Sequence, residues 1–145
     1  MEIQFGICNS KTTNKPVPLK LLVEQLVLQF QSSALRNGSA ILNDVPEDLC
    51  VNADKNILAK IISSLLDSIT HSSRNSYIRI STKRYNNIIL FHLRDSNTAF
   101  ISTQNYDWQE MNLLAEKLGG CIIEDDLRKK HATITFSFCS MANAA

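Results

Sequence analysis

The chain has few of the local features that identify a membrane protein, a nucleic-acid-binding protein or an enzyme. Only 4 of its 145 residues are glycine, and it has no Walker A loop, no HExxH motif and no G-x-S-x-G motif. Its net charge is +1, which does not indicate a basic surface for nucleic acid or anionic lipid. No stretch approaches the roughly 18 apolar residues that a membrane span needs. We therefore expect no nucleic acid partner, no membrane contact by this chain itself, and no enzyme that depends on these motifs.

The cysteines also lack a pattern. The four lie far apart, form no CxxC pair and have no histidine at zinc-ligand spacing, and they are Cys8, Cys50, Cys121 and Cys139. Cysteines used in this way are usually reduced packing residues, and reduced thiols are typical of a cytoplasmic protein. We therefore expect a cytoplasmic localisation.

The strongest pattern is the apolar stripe of a long amphipathic helix between Asp54 and His71. The apolar residues that recur on its broad face are Ile57, Leu58, Ile61, Ile62, Leu65, Leu66 and Ile69. Asp54 is the expected N-cap. Ser64, Ser68 and His71 share one flank beside the stripe. We expect this helix to be the central helix of the fold. We also expect the function to depend on what lies opposite the flank that carries Ser64, Ser68 and His71.

Two further helices are expected, one from Pro18 to a stop at Asn37-Gly38, the other from about Asp107 to Leu118 and closed by Gly119-Gly120. The predicted strands are residues 3–7, 40–42, 77–83, 88–94, 121–124 and 132–138. The first of these strands is expected at a sheet edge, where it could also pair with a second copy in a homodimer.

The strands alternate apolar and polar residues, so one sheet face should be wet and all helices should lie on the other face. The predicted fold class is α/β (α+β), a two-layer sandwich with a mixed, largely antiparallel sheet of about five strands and three helices on one face. Residues 18–139 are expected to form one domain, preceded by a strand and linker at residues 1–17 and followed by a tail at residues 140–145.

Three local patterns in this order resemble the ATP-binding domain of sensor histidine kinases and the wider GHKL (Bergerat-fold) superfamily. Residues 54–71 resemble the family's N box, and the run from Leu93 to Phe100 stands where the family has a D-x-G-x-G loop after a strand. Residues 114–138 resemble the closing helix, Gly-Gly pair and final hairpin. The resemblance covers roughly Pro18 to Phe138 and implies the histidine-kinase-like ATPase fold.

The resemblance also implies which residues would contact a nucleotide. Ser68 stands where the family has the asparagine that coordinates Mg²⁺, and Ser64 replaces an earlier asparagine. His71 falls at a phosphate-contacting position, and Asp95 at the position of the aspartate that accepts a hydrogen bond from the adenine amino group. We treat these residues as candidates for a vestigial nucleotide site, with Ser68 a metal ligand only if Mg²⁺ is bound.

The loop after Asp95 departs further from the family. Asn97 and Ala99 occupy two of its glycine positions, and Ala99 would be strained if positive φ were needed there. Before the last helix the chain has only about seven residues, ISTQNYD, where the family has a glycine-rich lid over the phosphates. The resemblance therefore implies a scaffold for ATP without the backbone that grips its phosphates.

We therefore expect a non-catalytic, degenerate histidine-kinase ATPase-like domain that acts as a protein-interaction or phosphotransfer-docking module in two-component signalling. Its expected partner is a response regulator or a kinase-type protein, and no cofactor is expected. The alternative is the ATP-binding catalytic domain of a sensor histidine kinase that works with a separate phospho-acceptor domain, with ATP and Mg²⁺ as cofactors. A small-molecule sensor is a third hypothesis.

Each candidate residue also has a purely structural interpretation. His71 could be a polar residue at a helix end, and Asp95 could be the first residue of a turn. His92 and His131 are expected to have surface or packing roles, and Trp108 is expected to anchor the core. No catalytic residue is assigned.

Overall fold

The computed structural model describes residues 16–96, 108–124 and 132–140. The elements in chain order are β1 (Val17–Pro18), α1 (Leu19–Arg36), β2 (Ala40–Asn43), β3 (Cys50–Val51), α2 (Lys55–Ser72), β4 (Tyr77–Tyr85), β5 (Ile88–Asp95), α3 (Trp108–Lys117), β6 (Ile122–Glu124) and β7 (Ala132–Cys139). The predicted helices and the five later predicted strands are confirmed, with ends that differ by one or two residues. The predicted strand at residues 3–7 lies outside the described residues.

The main sheet has five strands in the order β2-β4-β5-β7-β6. β2 is parallel to β4, and the other neighbouring strands are antiparallel. The predicted mixed, largely antiparallel sheet is therefore confirmed. β1 and β3 form a separate antiparallel pair that the sequence does not predict, because neither two-residue strand has a periodicity of its own.

The helices cover one face of this sheet, as predicted. α1 packs on β2, α2 on β5, and α3 on β6 and β7. Strand β5 buries Ile89, Phe91 and Leu93, whereas Leu90 and His92 between them are partly exposed. Phe136 of β7 stacks on Phe138 with ring centroids 5.1 Å apart and meets Phe91 edge-on at 6.3 Å. The core therefore lies between the sheet and the helix layer.

Helix α2 is the most deeply buried element of the helix layer. Leu58, Ile61, Ile62, Leu65, Leu66 and Ile69 are each completely buried. Each such side chain contributes about 1.5 to 3 kcal/mol relative to an exposed one. The Oδ1 atom of Asp54 accepts hydrogen bonds from the N–H groups of Asn56 and Ile57, at 2.9 and 3.2 Å, which confirms the predicted N-cap. Within the described part of the chain, no helix has both the length and the apolar character needed to cross a bilayer.

The Gly119-Gly120 pair closes α3 as predicted, and the structure gives the reason. Gly119 has φ of 80°, and the Gly120 N–H donates to the Ala115 carbonyl at 3.0 Å. A Cβ atom on Gly120 would overlap the carbonyl oxygen of Ser137 in β7. The end of α3 can therefore approach β7 this closely only without a side chain at this position.

The cysteines differ in state. Cys50 and Cys121 have free thiols at the surface, whereas Cys139 is disulfide-bonded. The expectation of reduced thiols is therefore wrong for Cys139. Sequence spacing does not predict such a bond, because it depends on which elements meet in space.

Candidate functional site

Asp95 lies in the layer between the sheet and the helices. It continues the buried series of β5 two residues after Leu93, and it is completely buried. In register it stands opposite Ile78 of β4 and Ala132 of β7. Asp95 is thus the last residue of a strand, with its carboxylate on the covered face. The prediction that it accepts a hydrogen bond from adenine stays a prediction.

The residue after Asp95 fixes the end of this strand. The Ser96 N–H donates to the Tyr77 carbonyl at 3.0 Å, and the Ser96 hydroxyl accepts from the Tyr77 N–H at 2.9 Å. Two hydrogen bonds to one residue of β4 hold the backbone beside Asp95 in place. The backbone at the end of β5 is therefore fixed relative to β4, and α2 packs on β5.

The three candidate residues on α2 share one flank, as predicted, but they differ in exposure. Ser68 is only 1% exposed, Ser64 is half-buried, and His71 in the last turn is exposed. The Ser68 hydroxyl has no hydrogen-bond partner in the part of the chain that the structure describes. The resemblance implies an asparagine at this position. Ser68 has a shorter hydroxyl side chain in its place, and this hydroxyl is surrounded by other atoms of the core and not by solvent.

Thr70 has the same property and was not among the predicted site residues. It is 1% exposed, and its hydroxyl also has no hydrogen-bond partner among the described residues. Its backbone carbonyl accepts a 3.0 Å hydrogen bond from the Asn37 side-chain amide at the end of α1. The only sequence signal was a hydroxyl two residues after Ser68 in an otherwise apolar helix.

A cluster of three buried serines fixes the C-terminal end of α2, where His71 lies. The Ser73 hydroxyl donates to the Ser39 hydroxyl at 2.8 Å, and the Ser39 hydroxyl accepts from the Ser76 N–H at 3.2 Å. Ser39, Ser73 and Ser76 are each at most 5% exposed. The cluster joins the start of β2 to the α2–β4 connection, and the sequence analysis did not find it.

The remaining candidates lie elsewhere or cannot be placed. Asn97, Ala99 and His131 lie outside the described residues. His92 lies on the open face of the sheet, where its Nδ1 atom is 3.1 Å from the Thr135 hydroxyl. Desolvation lowers the pKa of His92 below its ordinary value of 6.5, and the nearby charges of Lys83 and Arg94 lower it further. Its position away from α2 agrees with the predicted surface or packing role.

The donor set fits adenine better than it fits a metal ion. A carboxylate such as that of Asp95 can accept a hydrogen bond from an amino group, but here the side chain is completely buried and would have to be uncovered to meet a ligand. Ser68 is a poor ligand for Mg²⁺. This ion keeps several of its waters when it binds a protein, and the short Ser68 hydroxyl is buried where a hydrated ion does not reach it. Across residues 16–96, 108–124 and 132–140, no three His, Cys, Asp or Glu side chains form a group that could hold a metal.

The solved structures with which this chain is compared below are all histidine kinases. The chain is similar to Acinetobacter baumannii histidine kinase AdeS, with a TM-score of 0.75 and 14% identity over 90% of this chain and 69% of that one. It is similar to the nucleotide-free catalytic domain of histidine kinase ThkA, with a TM-score of 0.71 and 16% identity over 89% of this chain and 98% of that one. ThkA in complex with response regulator protein TrrA is similar at a TM-score of 0.69 and 15% identity, over 88% of this chain and 42% of that one.

The comparisons establish the fold. No protein-family model matches the sequence, and no curated protein matches it. The chain nevertheless has the fold of histidine kinase catalytic domains, as the resemblance implied. Identities of 14 to 16% do not carry over binding or catalysis residue by residue.

Proposed function

We propose that this chain is a non-catalytic relative of histidine kinase ATP-binding domains that docks a protein partner in two-component signalling in the cytoplasm. The partner we propose is the receiver domain of a response regulator. The fold supports this proposal, as does the existence of a ThkA complex with a response regulator protein. The proposal concerns binding alone, since no phosphoryl transfer step is assigned to this chain.

The observation that carries the proposal is the burial of Ser68. A magnesium ligand at this position would need an oxygen that reaches the metal, and Ser68 offers a short hydroxyl that is 1% exposed. The sequence between residues 97 and 107 contains no glycine that could bring backbone N–H groups around phosphates. Affinity for a triphosphate would therefore have to come from few contacts.

A groove between α2 and α3 is the proposed docking surface. It has a volume of about 610 Å³ and is lined by Lys60 of α2 and by Glu110, Leu113, Leu114, Glu116 and Lys117 of α3. Leu113 is 57% exposed, so an exposed apolar side chain lies in a groove that carries two lysines and two glutamates. Such a combination suits a partner surface with an apolar centre and charges of both signs around it, because central apolar anchors supply most of the binding energy at interfaces.

The alternative function is an ATP-binding catalytic domain that works with a separate phospho-acceptor domain. The residue type at position 95 favours it, because a carboxylate can accept a hydrogen bond from the adenine amino group. Exposed His71 at the end of α2 could contact a phosphate. Under this alternative ATP and Mg²⁺ would be the cofactors.

Calorimetric titration of the chain with ATP and Mg²⁺ separates the two functions. We expect no binding in the micromolar range, because few groups would contact the phosphates. The comparison variant is Asp95→Asn, which keeps the size of the side chain and removes the carboxylate. Micromolar, magnesium-dependent binding that Asp95→Asn abolishes would establish the alternative and refute the proposal.

The docking surface is tested with receiver domains encoded in the same genome, each measured against the immobilised chain. We expect at least one to bind, and Leu113→Glu to weaken it by about tenfold or more, as expected for a central anchor. Leu28→Glu on the far side of α1 is the matched control and should leave the affinity unchanged. Binding that responds to Leu28→Glu and not to Leu113→Glu would refute this surface.

A further inference from the structure

Helix α1 exposes a column of leucines on the side opposite the core. Leu21, Leu28 and Leu35 are 56%, 70% and 70% exposed, and they stand seven residues apart. The other face of α1 buries Leu19, Leu22, Val23, Leu26 and Val27. Single exposed leucines are common in folded proteins, but this column runs about 21 Å along the helix. We refer to Leu21, Leu28 and Leu35 as the leucine column.

The surface beside the leucine column carries little charge. Gln25, Gln31 and Ser32 are exposed there, Glu24 is an acidic residue among them, and Arg36 is a basic residue next to Leu35 in the last turn. The Lys20 ammonium group donates to the Asn43 carbonyl at 3.1 Å, which directs it toward β2. Burying this face would therefore remove few charges from water. A strongly charged partner would find few opposite charges here with which to form ion pairs.

The two ends of α1 have complementary shapes. At the C-terminal end, Leu35 lines a cavity of about 360 Å³ together with Gly38 and Tyr77, and Tyr77 is 60% exposed. At the N-terminal end, the exposed residue Pro18 precedes the first turn. An exposed apolar residue at one end and a cavity at the other can meet when two identical helices pack in opposite directions.

We propose that the leucine column is the contact surface for a second copy of this chain, with two α1 helices packed antiparallel about a two-fold axis at Leu28. In this register Leu21 meets Leu35 of the second copy, and Pro18 arrives at Gly38 beside the cavity. Glu24 lies beside Gln31 of the second copy, whose amide can donate to the carboxylate. The antiparallel arrangement also opposes the two helix dipoles.

A parallel arrangement is less favourable. It would bring the two Glu24 carboxylates together and leave both cavities without an apolar partner. The antiparallel contact is nevertheless small, since it involves one helix of 18 residues from each copy. It falls at or below about 1,200 Å² of total buried area, so we expect a weak dimer with a dissociation constant in the micromolar range or above.

Sedimentation equilibrium of the full chain over a range of concentrations tests the contact. We expect a monomer–dimer equilibrium that Leu28→Glu shifts at least tenfold toward monomer, because two carboxylates would meet on the axis. Leu113→Glu in α3 is the matched control, since Leu113 is a similarly exposed helical leucine, and it should not change the equilibrium. Thermal unfolding checks that both variants fold.

Cysteine cross-linking tests the register. In a background of Cys50→Ser and Cys121→Ser, Leu28→Cys should link to its copy on oxidation, because position 28 lies on the axis. Leu21→Cys should link only to Leu35→Cys in a mixture, since two copies of position 21 stand about 21 Å apart in this register. Links between two copies of position 21 would indicate the parallel arrangement.

The proposal is overturned by any of four results. In sedimentation, the chain could remain a monomer at millimolar concentration, the dimer could persist in Leu28→Glu, or Leu113→Glu could abolish it. In cross-linking, two copies of position 21 could link in place of two copies of position 28. A dimer lost on placing a charge at Phe5 and retained in Leu28→Glu would assign the contact to the N-terminal segment. A different protein bound through Leu28 while the chain stays monomeric would likewise exclude the second copy.

Discussion

The hydroxyl of Ser73 donates a 2.8 Å hydrogen bond to the hydroxyl of Ser39, a residue 34 positions earlier in the chain. Ser73 is completely buried and is the C-cap of α2, and Ser39 precedes β2. The bond therefore joins the end of the central helix to the start of an edge strand. It also fixes the turn from which β4 begins, because Ser39 in addition accepts from the Ser76 N–H.

Replacing Ser73 with alanine should destabilise the chain. The Ser39 hydroxyl would remain buried with one donor fewer, which costs about 1 to 2 kcal/mol. Urea unfolding measures the change, and His71 mobility on the nanosecond scale, measured by NMR relaxation, should increase with it. An unchanged free energy of unfolding would contradict a stabilising role for this hydrogen bond.

Ser68→Ala should behave in the opposite way, although Ser68 is just as deeply buried. Its hydroxyl has no hydrogen-bond partner within the described part of the chain, so its removal relieves a desolvation cost. We expect the free energy of unfolding to stay within about 0.5 kcal/mol of wild type or to rise. A loss comparable to that of Ser73→Ala would mean that Ser68 has a binding partner.

Gly120→Ala should be the most damaging of these single changes. The added Cβ would overlap the Ser137 carbonyl oxygen, and backbone cannot move aside as a side chain can. We expect a loss of about 3 kcal/mol, at the upper end for overpacking. Gly38→Ala is the control, because its obstacle is the Asn75 side chain and its φ of 72° costs only about 1 to 2 kcal/mol. Equal losses would contradict this explanation.

His92 should make the fold sensitive to acid. Its pKa in the folded chain lies below 6.5, chiefly through desolvation and then through Lys83 and Arg94. The unfolded chain therefore binds the proton more readily, and stability falls as the pH drops below 6.5 toward the folded pKa, whereas it is unaffected above 6.5. His92→Gln should lose less stability between neutral and acidic pH. An NMR titration of Lys83→Gln should show a raised pKa for His92, and an unchanged one would contradict the charge contribution.

The helices were predictable because their signals are local. The apolar stripe from Ile57 to Ile69 and the cap at Asp54 each depend on residues a few positions apart. The hairpin of β4 and β5 was predictable for the same reason, since Asn86 in its turn adopts a φ of 56°, which asparagine tolerates. The pairing of β1 with β3 was not predictable, because Val17 and Val51 are far apart in sequence and each strand has two residues.

In the candidate site, too, the sequence predicted local features of single residues but not those that depend on contacts with distant segments. Helical phase predicted that Ser64, Ser68 and His71 share a flank, but it did not predict that Ser68 is buried while His71 is exposed. Burial depends on how deeply α2 sits against β5 and its neighbours, which is a property of packing. The Thr70 hydroxyl, which has no hydrogen-bond partner among the described residues, and the serine cluster were missed for the same reason.

The sequence by itself determined which residues form the helices and strands and which face of each is apolar, because those properties depend on neighbours within about one or two turns. Only the tertiary structure decided that the Asp95 carboxylate is buried beneath the helices, that Ser39 and Ser73 meet, and that three leucines of α1 remain uncovered. These outcomes depend on contacts between distant segments, which hydrophobic burial selects for the chain as a whole.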